Sequence, residues 1–137
     1  SLPRLRHVSS VKPMDILSDL TTAALRFRDE RNWAQFHTLR HLIVSLNLEA
    51  GELLELTQWQ SDSDLAALIE DPTRRQALSN ECADVLLYLL LIAEKAGIDL
   101  ADAARSKLIE NAAKYPVECS YGSSRKYSAA APETDTA

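Results

Sequence analysis

Glycine is scarce in this chain, with 3 in 137 residues, and aromatic residues make up only 6%. A sheet protein would want more turn glycines and more Val, Ile and Thr, whereas the abundant Leu, Ala, Glu and Arg favour helix, so an all-α fold is expected. Cysteine is sparse as well. Cys82 and Cys119 lie far apart and Cys82 sits among apolar residues, so no disulfide framework is expected and a reducing cytoplasm is the simpler setting. Basic charge is in deficit: the net charge is −5 and the pI about 5.2. That excludes a generic binder of nucleic-acid backbones, and a bound phosphate would need cations to help. No charged-then-apolar leader opens the chain. The longest apolar run, VLLYLLLIA at 85–93, is about half of what a membrane span requires. A soluble, cytoplasmic protein is therefore expected, without a membrane partner.

What is present is apolar material for one core, 46% of a single-domain length. Residues 1–12 lack periodicity and read as a flexible lead-in, 13–127 as the domain, and 128–137 as a disordered tail. A first helix is predicted from about Asp15 to Asn32, with Ile16, Leu17, Leu20, Ala24 and Phe27 at spacings of three and four and RFRDER on its wet side. Thr38 can cap a second, TLRHLIVSLNLEAGELLELTQW, striped by Leu39, Leu42, Ile43, Leu46, Leu53 and Leu56. QSDSD breaks it, and Ser63 or Asp64 can cap a short helical turn through Leu68. Asp71-Pro72 opens a third helix that reaches Lys95 and stops at Gly97, and Asp99 caps a fourth that Pro116 closes. The third is apolar nearly all round between Val85 and Ala93, which in so small a domain points to a second subunit covering one side.

The chemistry lies in two acidic pairs. Glu49 and Glu52 share one helix face, as do Glu81 and Asp84, and both pairs sit beside leucines. Antiparallel packing of the two helices would aim four carboxylates at one cavity. So many like charges raise one another's pKa unless something cancels them, and all-oxygen ligands suit Mg²⁺, with Mn²⁺ as the alternative, better than Zn²⁺. Either pair alone would more often be solvated surface charge; two pairs embedded in apolar sequence shift the balance. Glu55, three residues further on, reads more simply as an exposed neighbour. Trp33 and Trp59 each stand beside a break between helices, where a flat ring suits either a nucleobase or a small core. Tyr88, one turn beyond Asp84, can reach a sugar or phosphate or simply pack. Lys107, Asn111 and Lys114 form one polar stripe, and Arg125 and Lys126 are basic residues that could close over a triphosphate.

The motif Glu49-Ala50-Gly51-Glu52, followed after 28 residues (53–80) by Glu81-Cys82-Ala83-Asp84, resembles the ExxE…ExxD signature of the MazG-like all-α nucleoside triphosphate pyrophosphohydrolases. ERNWAQFHTLR, GELLELTQW, ECADVLLYLL and SKLIENAAKYP followed by SSRKY are similar to its dCTP pyrophosphatase branch, over roughly Leu17 to Tyr127. The resemblance implies a four-helix-bundle subunit assembled as a dimer or a dimer of dimers (a homotetramer). It implies hydrolysis of a nucleoside triphosphate, dCTP or a modified dCTP, to the monophosphate and pyrophosphate, in a nucleotide-pool-cleaning role. It further implies that Trp33 and Trp59 line the base pocket with His37 nearby, that Lys107 and Asn111 lie near the phosphates, and that Tyr115 lies at the rim. Many members carry a glutamate immediately before the first motif, where this chain has Leu48. The role of orienting the attacking water therefore falls to Glu49 or Glu52. Two other readings compete: the same fold acting on dUTP, dATP, another dNTP or a phosphoribosyl-ATP-like molecule, and a non-catalytic helical module whose acidic patches bind a basic partner.

Overall fold

The computed structural model describes residues 15–124. The lead-in, the tail, Arg125 and Lys126 lie outside the described residues. Asp15 begins the order: its carboxylate accepts the Leu17 amide at 3.1 Å and caps α1, Ile16–Glu30. The chain leaves α1 through Asn32 in the left-handed region (φ 54°), a conformation asparagine tolerates, so the first helix stops two residues short of its expected end. A 3₁₀ turn, Ala34–Phe36, leads to Thr38, whose hydroxyl accepts the His41 amide and caps α2, Leu39–Glu55.

The expectation that α2 continues to Trp59 is corrected. From Leu56 on the amides turn back to carbonyls three residues away, Thr57 N–H to Leu54 O at 3.0 Å and Gln58 N–H to Glu55 O at 3.1 Å. The Thr57 hydroxyl also donates to the Leu54 carbonyl at 2.7 Å, satisfying locally what another helical turn would have satisfied. Trp59 then adopts φ 60°, which no continuing helix permits. The next cap also differs from expectation. Ser61, not Ser63 or Asp64, is the N-cap: its hydroxyl accepts the Asp64 amide at 3.1 Å while the Asp64 carboxylate accepts the Ser61 amide at 2.9 Å. The helix this reciprocal pair starts, α3, runs Asp62–Glu70, two residues beyond Leu68.

Asp71 accepts the Thr73 amide at 3.1 Å, and Pro72 opens α4, Pro72–Ala96. Gly97, at φ 68°, ends α4 in the left-handed region that glycine adopts without penalty. Helix α4 is the hub, packed by α2 and by α1 and α3. Leu42, Leu68, Leu90, Leu91 and Ala93 are buried there, and each fully covered leucine contributes about 1.5–3 kcal/mol. Leu86, Leu87 and Leu89 on the same helix remain more than a third exposed, so α1, α2 and α3 cover only part of it. By length and composition α4 is the one helix among the described residues that could cross a membrane, a property the count of uninterrupted apolar residues did not register. It carries Glu81 and Asp84 near its middle.

A second compact unit begins at Gly97. Asp99 accepts the Asp102 amide at 3.1 Å and caps α5, Leu100–Lys114, and a short α6, Val117–Ser120, follows Pro116. This last turn had no counterpart among the expected elements. Every regular element among the described residues is helical.

Candidate active site

The i, i+3 spacing on α2 and on α4 does what helical geometry requires, setting each acidic pair on one face of its helix. Because those faces meet, Glu49, Glu52 and Glu81 each offer a carboxylate oxygen within 4.8 Å of the other two. Glu49 and Glu81 are half-buried, Glu52 is exposed, and the Oε2 atoms of Glu49 and Glu81 are covered without any hydrogen-bond partner. A buried, unpartnered carboxylate oxygen is costly in an isolated chain. Burial pushes the Glu49 carboxyl up, followed by its contact with Glu52 and the charges of Asp84 and Glu81. Burial likewise raises Glu81, with Glu52 and Asp84 adding to it. The donor set is all oxygen, crowded and negative, and it fits a hard divalent cation whose charge would remove the mutual repulsion.

Asp84, one turn along α4 from Glu81, joins this cluster to a cavity. Its charge acts on both Glu49 and Glu81, and its side chain lines a cavity of about 420 Å³ between α1 and α4. Trp33, His37 and Tyr88 line the same cavity, with Leu20, Ala23, Ala24, Phe27, Leu87 and Leu91 as its apolar walls. Two alanines on α1 leave the space that larger side chains would fill. Trp33 meets Phe27 edge-on with centroids 5.8 Å apart, and its amide is held by the Arg28 carbonyl at 3.0 Å. The His37 ring stacks on His41 at 6.1 Å, and its Nδ1 is covered and unpartnered. Burial, then the charges of Arg28, His41 and Lys95, hold the His37 imidazole below the ordinary histidine value. A mostly neutral, half-buried ring beside an indole and a phenol can accept or donate a hydrogen bond to a planar polar ligand.

Of the other expected site residues, Trp59 does not line this cavity; it is 97% exposed in the turn between α2 and α3. Lys107, Asn111 and Tyr115 belong to the second unit. There Lys107 and Lys114 both reach Glu110, at 3.3 and 2.8 Å, and the Asn111 carbonyl accepts the Tyr115 amide at 2.8 Å. Those two lysines hold the Glu110 carboxyl below its ordinary value. Cys82 and Cys119 are both free and exposed.

One cavity residue escaped the sequence reading. The sequence pattern puts Arg28 on the wet side of α1 with the rest of RFRDER, whereas it lines the cavity and its side chain is only 20% exposed. The available signal was its register, four residues after Ala24 and eight after Leu20, on the face those residues define.

A profile of the MazG-like family matches residues 44–129. The chain is 42% identical over 118 residues to dCTP pyrophosphatase 1 of Rattus norvegicus, covering 86% of this chain and 69% of that one. It is 40% identical over 118 residues to dCTP pyrophosphatase 1 of Homo sapiens, with the same coverage of both. The crystal structure of a pyrophosphatase from Archaeoglobus fulgidus has a TM-score of 0.71 and 34% identity, over 77% of this chain and 97% of that one. With acidic pairs, helical fold and sequence in agreement, the chain belongs to the MazG-like family.

Proposed function

We propose that the protein is a divalent-metal-dependent nucleoside triphosphate pyrophosphohydrolase that converts dCTP, or a modified dCTP, and water to dCMP and pyrophosphate. The observation that carries this reading is the continuity of the site through Asp84, which both acts on the crowded glutamates and lines a cavity walled by Trp33, His37 and Tyr88. An acidic cluster alone is a common surface feature; one opening into an aromatic cavity of nucleoside size is not. The similarity to enzymes named dCTP pyrophosphatase 1 supports dCTP among the triphosphates.

In this reading Glu49, Glu52, Glu81 and Asp84 hold Mg²⁺, or Mn²⁺ in its place. When bound, the cation would neutralise the triphosphate and make the attacking water more acidic. Glu49 or Glu52 orients that water, since Leu48 occupies the place of the extra glutamate. Trp33 and Tyr88 enclose the base and sugar, stacking being worth ~1–3 kcal/mol per base, and His37 hydrogen-bonds at the base end. Trp59 is placed in the base pocket too; because it lies outside its own chain's cavity, that role requires a partner subunit, in keeping with a dimer or tetramer. Lys107, Asn111, Tyr115, Arg125 and Lys126 are assigned to the phosphate side, and the setting to the cytoplasmic nucleotide pool. A panel of dCTP, dUTP, dTTP and dATP at fixed Mg²⁺, scored for pyrophosphate, tests the proposal. Preference for dCTP with products dCMP and pyrophosphate is expected; release of orthophosphate, or no turnover of any of the four, rejects it.

A further inference from the structure

Among the described residues that line the cavity, Arg28 is the one lysine or arginine. The Nε of Arg28 donates to the Asp29 carboxylate at 2.8 Å, which fixes the guanidinium plane. The two Nη groups at its end have no hydrogen-bond or ion-pair partner among the described residues, although the side chain is four-fifths covered. An end-on guanidinium is a fork of two parallel donors with rigid geometry.

The position of the fork in the cavity decides what it can read. Asp84 enters the cavity from α4, on the helix that carries Glu81, whereas Arg28 enters from α1, and its own carbonyl accepts the Trp33 amide at 3.0 Å, which sets the fork on the wall shared with Trp33. A group there meets the base. Cytosine presents two adjacent acceptors, ring N3 and O2, whereas uracil and thymine carry a proton on N3 that would oppose one arm of the fork. Sites that hydrogen-bond one partner reject the analogue that cannot reciprocate, because buried donors are left unpaired.

We infer that Arg28 is a specificity residue, its terminal guanidinium nitrogens donating to N3 and O2 of a cytosine base stacked beside Trp33. The inference rests on the nucleotide reading above and deepens it. Purified Arg28→Ala, Arg28→Lys and wild-type protein are compared on dCTP, dUTP and dTTP with saturating Mg²⁺, with helicity checked by circular dichroism and the salt dependence of KM recorded. In Arg28→Ala the kcat/KM for dCTP falls about tenfold or more relative to dUTP and dTTP, through KM, while kcat at saturation stays within about threefold. Arg28→Lys, a point donor without the fork, does not restore the preference. Arg28→Gln, which keeps length and one donor, serves if Arg28→Ala loses helicity, and the same loss of preference is expected. An unchanged dCTP preference overturns the inference and leaves the enzymatic reading standing. Equal loss on all three nucleotides with a weaker salt dependence also overturns it, by moving the guanidinium to the phosphates. Wild-type protein that turns over none of the three sinks both.

Discussion

Two carboxylate oxygens, on Glu49 and Glu81, are covered and unpartnered beside a third acid, Glu52. Elementary electrostatics makes this arrangement unfavourable in a metal-free chain and favourable around a dication. Replacing Glu52 or Asp84 by its amide removes a ligand while keeping its shape. Pyrophosphate release is expected to fall by more than roughly 100-fold, since even partners outside a metal's own ligands cost 10–100-fold, with circular dichroism unchanged. Full turnover in both amide variants would reject the metal assignment. The same residues set a pH dependence. Glu49 and Glu81 titrate above an unfolded glutamate, so between the two values the metal-free folded chain holds more protons than the unfolded one, and stability falls as pH rises through that window. Asp64, held low chiefly by its bond from the Ser61 amide, and Glu110 act in the opposite sense below the ordinary carboxylate range, and His37, held below the ordinary histidine value, acts in the opposite sense as pH rises toward that value. With chelator, wild-type Tm is therefore expected to fall with rising pH relative to a Glu49→Gln, Glu81→Gln variant, which keeps His37 and lacks the two crowded acids, and Mg²⁺ or Mn²⁺ to raise only the wild-type Tm. A wild-type Tm that climbs relative to this variant as pH rises would contradict the crowding.

At the scale of elements, caps and breaks decide where the site residues stand. The Ser61–Asp64 capping box starts α3 immediately after Trp59, so it fixes both the end of the turn and the helix that lies against α4. Ser61→Ala is expected to lower unfolding free energy by about 1 kcal/mol, read as a shifted urea midpoint with unchanged slope. An unchanged midpoint would mean that α3 draws its start from packing alone. The existence of α1 to α5 was legible in the sequence because Asp15, Thr38, Asp71-Pro72, Gly97, Asp99 and Pro116 carry their signals locally, whereas the short turns Ala34–Phe36 and Val117–Ser120 carry no comparable pattern. The end of α2 was not, because Thr57 and Trp59 depart from helix through hydrogen bonds and a left-handed backbone that periodicity does not record.

At the scale of the molecule, the helices of the first unit leave apolar surface that they do not cover among themselves. A cleft of about 480 Å³ between α2, α3 and α4 is lined by leucines with Ile69, and Leu54 and Ile69 at its walls are 67% and 55% exposed. Patches of this kind mark association surfaces. Sedimentation equilibrium is expected to give two or four times the 15.2 kDa chain mass, and Ile69→Glu to lower it, because a charge would be stranded in the buried contact. A wild-type mass of one chain would remove the assembly from the proposal, and with it the place assigned to Trp59.

The sequence by itself determined the helical class, most helix starts and stops, and the two acidic pairs, because capping chemistry and 3.6-residue periodicity are written within a few residues of each other. It also determined that each pair shares a face, which follows from spacing alone. Only the tertiary structure decided that the Glu49–Glu52 and Glu81 faces meet, that Asp84 turns into the aromatic cavity, that Arg28 lines the cavity wall and that Trp59 stands outside it. Those outcomes depend on how α1, α2 and α4 pack, and packing is set by contacts between residues distant in the chain, which no local pattern encodes.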